Sequence, residues 1–442
     1  MSTTRMLRRP TATLSAAIAL TLGLAACGSS EPEAAPAATP TQEMTTDATE
    51  EMTEEMSAAP EVPATVMPMG TGDPFADART AAQHMPETAA TLAAGFAAAL
   101  EIPGETDSEA ADLRAGLTAL LQEHVYLAGI GVATAYTAGA DSPEFEAAAA
   151  TLDANSVALA DAVGSLAGDE QREAFLALWR EHIGYFVDYA VAVKGGDDAA
   201  RDAALASLDG YTGQAGAFFE EVSGGALPAA DVAMSLEMHV TTLTAAIDDL
   251  AAGSPEAYGS LQAAAAHVGE GAAVIAGGLA SAAGLQGDPA DEAATLRAQL
   301  TAGLQEHVYL AGLAVFTAYT SDGGMSSAAF EAAAATLDEN SVALSEAVGS
   351  LAGAEQGESF LALWREHIGY FVDYADAVAS GDDEAAAAAL IELDGYRGEA
   401  GAFFEEISGG ELPADAVAEG LAMHVQTLGG AIDSLAEALV EA

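Results

Sequence analysis

Eight histidines fall into four pairs. His84 and His267, like His124 and His307, are 183 residues apart; His182 and His367, like His239 and His424, are 185 apart. Imidazole is the commonest metal ligand in proteins, and its ordinary pKa lies close to neutrality. Histidines held twice over, in a chain whose two halves have drifted at many other positions, point to metal ligation or proton handling. Three imidazoles with an open position suit zinc, copper or iron. A haem fits less well, because a porphyrin needs more room than two His-rich layers leave.

Other polar residues recur with the histidines. Glu123 and Glu181 each precede a histidine by one residue, as do their twins Glu306 and Glu366. Neighbours on a helix point about 100° apart. These carboxylates are therefore candidates to flank an ion, or to accept a hydrogen bond from an imidazole and orient it. Asn155 and Asn340 recur within LDANSVAL and LDENSVAL, and Asp209 and Asp394 within a shared LDGY. Tyr126, Tyr185, Tyr189 and Met238, all with twins, belong to the same candidate set.

These residues sit in a tandem repeat, residues 73–252 and 253–442. Phe175–Ala190 (FLALWREHIGYFVDYA) recurs unchanged as Phe360–Ala375, and Leu121–Gly129 (LQEHVYLAG) as Leu304–Gly312. The two-residue insertion falls in a turn, Ala138–Pro143 against Ser321–Ser327, where loops absorb length changes. The Ala-rich composition favours closely packed helices. Copy one divides into helical stretches 74–100, 108–138, 143–166, 169–194, 197–223 and 228–252. Asp73-Pro74, Ser142-Pro143 and Pro228 mark starts, and the glycine pairs 195–196 and 224–225 mark stops. Pro86 should kink the first stretch. The expected fold is all-α: two tandem homologous antiparallel helical bundles behind a disordered N-terminal tether.

The apolar seams carry the histidines inward. One seam runs Phe175, Trp179, His182, Phe186, Tyr189; another runs Val232, Leu236, His239, Leu243, Ala246; His124 lies on the seam of Leu117, Leu120 and Leu127. Each of these histidines is near the middle of its helix, so the three should meet at one level of the core. The expected ligands are His124, His182 and His239 in copy one and His307, His367 and His424 in copy two. His84 and His267 are candidate fourth ligands of their own copies. A buried polar network without metal is the alternative.

The first 26 residues read as an export signal. Arg5, Arg8 and Arg9 precede a short apolar run, Leu14 to Leu24. Leu24-Ala25-Ala26-Cys27-Gly28 resembles the lipobox of a bacterial lipoprotein signal peptide, which implies cleavage before Cys27, lipid on its thiol and attachment to the outer face of the cell membrane. Residues 27–72 read as an acidic tether rich in Pro, Ala, Thr and Glu, punctuated by Met44, Met52, Met56, Met67 and Met69; soft thioethers suit Cu(I). No later segment looks apolar enough to cross a membrane. With 12 basic against 68 acidic residues and a net charge of -56, the surface repels nucleic acid and attracts cations.

In architecture the histidine-bearing helices resemble the haemerythrin and ferritin-like bundles. The adjacent Glu-His pairs depart from the H-x-x-x-E/D and E-x-x-H spacings of those families, which argues against a bridged di-iron centre. LQEHVYLAG and LWREHIGYF also look like motifs of an exported bacterial helical family without an assigned activity. The residues together imply a lipid-anchored envelope protein that binds one transition metal per repeat, copper before iron or zinc, for buffering or delivery. The other readings are a metal-dependent oxidase or hydrolase, and a structural or docking lipoprotein. No protein partner is implied.

Overall fold

A computed structural model describes residues 66–440. The lipobox, Cys27 and the tether methionines Met44, Met52 and Met56 lie outside them. Thirteen α-helices and one short 3-10 turn make up the elements, and there is no strand among the described residues. Copy one contributes α1 (Pro74–Gln83), α2 (Met85–Leu100), α3 (Glu109–Thr137), α4 (Pro143–Ala167), α5 (Asp169–Gly195), α6 (Asp198–Val222) and α7 (Ala229–Ala252). Copy two contributes α8 (Ala257–Ala283), α9 (Glu292–Thr320), α10 (Ala328–Ala352), α11 (Ala354–Ser380), α12 (Asp383–Ile407) and α13 (Ala414–Leu439).

Local chemistry sets these limits. Asp73, Ser108, Ser142 and Asp197 each accept a hydrogen bond from a backbone N–H of the first turn of α1, α3, α4 and α6, satisfying groups that a helix start leaves unpaired. Pro86 follows a break at His84, which divides the first stretch into α1 and α2; the equivalent α8 has Val268-Gly269 and runs unbroken.

Helices pack in two closed rings. In the first, α3, α4, α5, α6 and α7 follow one another round the core, and α8 closes the circle by packing on both α7 and α3. In the second, α9 to α13 are closed by α1 and α2, which pack on α13 and α9. The helix that completes each ring therefore belongs to the other repeat. The rings meet where α3 packs against α9. Reciprocal bonds mark that junction as two-fold-like: Arg114 reaches Pro289 O and Thr295, and its twin Arg297 reaches Thr106 O and Asp112.

Two expectations change here. α8 is long and apolar enough, by length and composition, to cross a membrane, although its apolar side packs within the first ring. Its alanine content raises mean hydropathy without the bulky side chains that draw the eye. Ordered packing also begins before residue 72. Val66 is buried, and the Met69 N–H donates to the Gln426 carbonyl at 2.8 Å. A Cβ on Gly430 would lie 2.0 Å from the Met69 carbonyl oxygen, so only glycine lets this segment sit on α13. The twin positions in α7, Thr244 and Ala245, carry no such segment and need no glycine.

Candidate metal centre

Each ring holds three buried imidazoles from three different helices. In the first, His124 comes from α3, His182 from α5 and His239 from α7; in the second, His307, His367 and His424 come from α9, α11 and α13. One nitrogen from each ring of a triad lies within 4.8 Å of the others. The Nε2 atoms of His124 and His182 are 3.3 Å apart, as are those of His307 and His367. For metal–nitrogen bonds of about 2.0–2.1 Å, a tetrahedral edge is about 3.3 Å. Two ligands of each triad already stand at coordination spacing. The third nitrogen lies at most about 1.5 Å beyond that spacing.

Aromatic side chains hold the rings in place. Tyr211 stacks on His182 at 4.7 Å between ring centroids, and Trp179 touches both His124 and His182 at 4.8 and 4.5 Å. Phe186 meets His239 edge-on. Tyr396, Trp364 and Phe371 repeat the arrangement in the second ring.

Burial governs the electrostatics. Desolvation, reinforced by His239, pushes the His124 pKa down to about 3. Desolvation and the nearby His267 bring His239 to about 4; desolvation and His84 bring His424 to about 4. His182, His307 and His367 are lowered well below the usual range for the same first reason, each with a neighbouring histidine adding to it. The Trp179 carbonyl opposes this for His182, but from outside hydrogen-bonding geometry. All six rings are thus neutral at pH 7, the state that binds metal. Their Nδ1 atoms have no hydrogen-bond partner, nor do Nε2 of His424 or Nε1 of Trp179 and Trp364. Each such atom left bare costs about 1–3 kcal/mol.

The other expected site residues lie elsewhere. His84 and His267 are not in the triads. Because the first helices change rings, His84 stands near His424 and His267 near His239, each by the triad of the other repeat. His267 is half-buried, with Nε2 3.0 Å from the Ser235 carbonyl. Glu181 and Glu366 are exposed, as is Asp209; Asp394 pairs with Arg397 one turn on. Met238 is half exposed and Tyr185 partly so, while Tyr189 donates to Asp248. The 100° step from a core-facing histidine carries its neighbour to solvent on an outer helix such as α5.

On the central helices α3 and α9 that same step leads to the ring junction. Glu123 is buried, bonded to Arg79 at 2.7 Å, to Asn155 Nδ2 at 3.0 Å and to the Tyr309 hydroxyl at 3.2 Å. Glu306 accepts from Gln262 at 2.8 Å, Asn340 at 3.0 Å, Tyr126 at 3.1 Å and Gln122 at 3.4 Å. Tyr126 and Tyr309 stack across the junction at 5.2 Å. Asn155 and Asn340 therefore serve the carboxylates and not the imidazoles. The halves differ at one position: Arg79 on Glu123 is Gln262 on Glu306. With no cation beside it, the Glu306 carboxyl is raised by desolvation, against its four hydrogen bonds.

Arg79, Gln122 and Gln262 were not among the residues singled out from the sequence. For Gln122 a signal was present: LQEHVYLAG is unchanged over nine successive positions, which cover every face of a helix and imply burial all round; Arg79 and Gln262 lie outside that stretch and differ between the copies.

Comparison with protein-family models, characterised proteins and solved structures finds no match. The chemistry is therefore read from the two triads themselves.

Proposed function

We propose that the protein binds one transition-metal ion in each His triad and serves to buffer or deliver it. The observation that carries this reading is a doubled layer of three converging, neutral imidazoles, with one nitrogen of each ring within 4.8 Å of the others. An ion between the three imidazoles replaces the Nε2–Nε2 contact, and in the second ring the unpaired Nε2 of His424, with coordination bonds.

Copper as Cu(I) fits best. No carboxylate reaches either triad, so the ligand set is neutral and the complex keeps the full charge of the ion. The cost of burying an ion grows with the square of its charge, which favours a monovalent metal over Zn²⁺ or Fe²⁺. Imidazole suits copper, and thioether sulfur suits Cu(I) in particular. Met67, Met69, Met234, Met238 and Met423 are exposed, where soft sulfur can meet an incoming ion. Iron or zinc comes after copper. Cys27 and its lipobox-like setting support a lipid-anchored protein on the outer face of the cell membrane, and the acidic surface supports cation capture without nucleic acid.

A second reading has its own support. A 3.3 Å contact between two neutral imidazole nitrogens is also a hydrogen bond, and the unpartnered Nδ1 atoms lack the oxygen acceptors that usually orient metal-bound histidines. A structural polar core would look like this. X-ray absorption on the full chain loaded anaerobically with Cu(I) separates the two. The metal reading expects three nitrogen neighbours at about 2.0 Å. A sulfur-dominated shell, or copper removed by a weak chelator as from a surface site, would point to the structural reading.

A further inference from the structure

An apolar cavity adjoins each triad. In the first ring it has a volume of about 290 Å³ and is lined by His124 together with Phe145, Leu152, Val187, Leu243 and Ile247. Asp153 and Arg180 also line it, and both are half exposed. Their two-pronged ion pair, with both bonds at 2.7 Å, stands where the cavity meets solvent. Apart from that pair, the only polar side chain on its wall is His124, whose pKa is held low by burial. The second ring repeats the design around His307 with a volume of about 120 Å³. Arg365 and Asp338 form the same pair there.

The difference in size has a local cause. Gly131 lines the larger cavity, and a Cβ built on it would meet nothing within 4 Å. Its twin in the smaller cavity is Ala314, and Met325, from the two-residue-longer turn, adds a side chain that the first copy lacks. An apolar cavity of about 150 Å³ in a protein core stays dry and takes up benzene or xenon. The first cavity is nearly twice that size, and the second is somewhat smaller.

We propose that the cavity beside His124 is a binding site for a small uncharged apolar molecule, benzene-sized or somewhat larger, held against the His124 imidazole. The smaller cavity beside His307 takes only atoms or diatomics of about xenon size. The lining alone carries this, so it stands whether or not a metal occupies the triad. Hydrophobic transfer drives binding, since the wall offers nearly no hydrogen bonds to a polar guest. A charged molecule is excluded by the cost of desolvating it against an apolar wall, and the half-exposed Arg180–Asp153 pair is the part of the lining that side-chain motion can open.

The test uses the metal-free full chain, with benzene titrated by calorimetry and xenon by ¹²⁹Xe NMR. The expected result is one saturable benzene site per chain and xenon uptake at two sites. Gly131→Leu fills the first cavity from an open backbone position and weakens benzene binding by at least about tenfold, or 1.4 kcal/mol. It leaves xenon at the second. Ala149→Phe, an exposed position at the first cavity's mouth, does the same by blocking access, should the Leu variant fail to fold. Absence of benzene binding to the wild type, or undiminished binding in a folded variant, overturns the proposal. Neither outcome bears on metal loading.

Discussion

Lowering the pH should unfold the metal-free protein through its buried histidines. In the unfolded chain each imidazole titrates near its ordinary value of about 6.5. In the fold, burial holds His124 at about 3 and His239 and His424 at about 4. A base with a depressed folded pKa is destabilising below its unfolded pKa, because the unfolded state then binds the extra proton. Stability is intact above about pH 7, falls as pH drops through 6.5, and stops falling once the folded pKa is passed. At pH 5 each of these three contributes a loss of about 2 kcal/mol, so together about 6 kcal/mol. That approaches the whole stability of an ordinary fold, about 5–15 kcal/mol. Glu306 works in the opposite sense, since its raised carboxyl becomes less costly as pH falls. Urea unfolding at pH 7 and pH 5, in constant moderate salt, reads the difference. The double variant His239→Leu/His424→Leu isolates the cause: it removes two titrating rings, neither of which has an Nδ1 partner to lose. Its loss between pH 7 and 5 should be smaller than the wild type's by about 4 kcal/mol. Equal losses in the two proteins would refute the assignment of acid sensitivity to the triads.

The loaded protein should keep its metal at pH 5 and release it only as pH approaches about 4 and below, since the folded rings do not compete for protons earlier; equilibrium dialysis against a pH series measures this. At the ring junction, Arg79→Gln should destabilise by about 1–3 kcal/mol by leaving Glu123 without its cation, whereas Gln262→Arg should stabilise by supplying one to Glu306; paired thermal melts at pH 7 check the opposite signs. Tyr309→Phe removes a hydroxyl that donates to buried Glu123 and should cost about 1–3 kcal/mol, with little effect on metal content, in a urea titration alongside metal analysis.

Much of the architecture was legible because it rests on local rules. Proline and serine starts, glycine stops and the three- and four-residue seams place the helices within a residue or two of where they lie. His182 and His239 read clearly because α5 and α7 have one buried face, and an imidazole between Trp179 and Phe186 must point inward. What the sequence concealed depends on which helix meets which. Nothing local tells α8 to close the first ring and α1 and α2 the second, so the repeat alone places His267 and His84 with the triads of their own copies, whereas each stands by the other copy's triad. Likewise, Glu123 and Glu181 look alike in sequence, each one step before a histidine. α3 has a second buried face against α9 and α5 does not, so one carboxylate joins a buried network and the other meets water. The cavities leave no periodic signal, being defined by side chains that stop short of one another.

The two copies act as internal controls. The triads and their aromatic supports are held in both rings, as are the mouth pairs Arg180–Asp153 and Arg365–Asp338. The copies part at Arg79 and Gln262, which set the charge at the junction, and at Gly131 and Ala314, which help set cavity size. The halves therefore differ in what surrounds the triads while keeping the triads themselves.

The most direct measurement is metal stoichiometry by native mass spectrometry and elemental analysis on the full chain, loaded with Cu(I) without oxygen and freed of loosely held ions by a weak chelator. Two ions per chain are predicted for the wild type, one for His124→Ala, and none for His124→Ala/His307→Ala. An unchanged metal content in the double variant, or no retained metal in a folded wild type, would contradict the account.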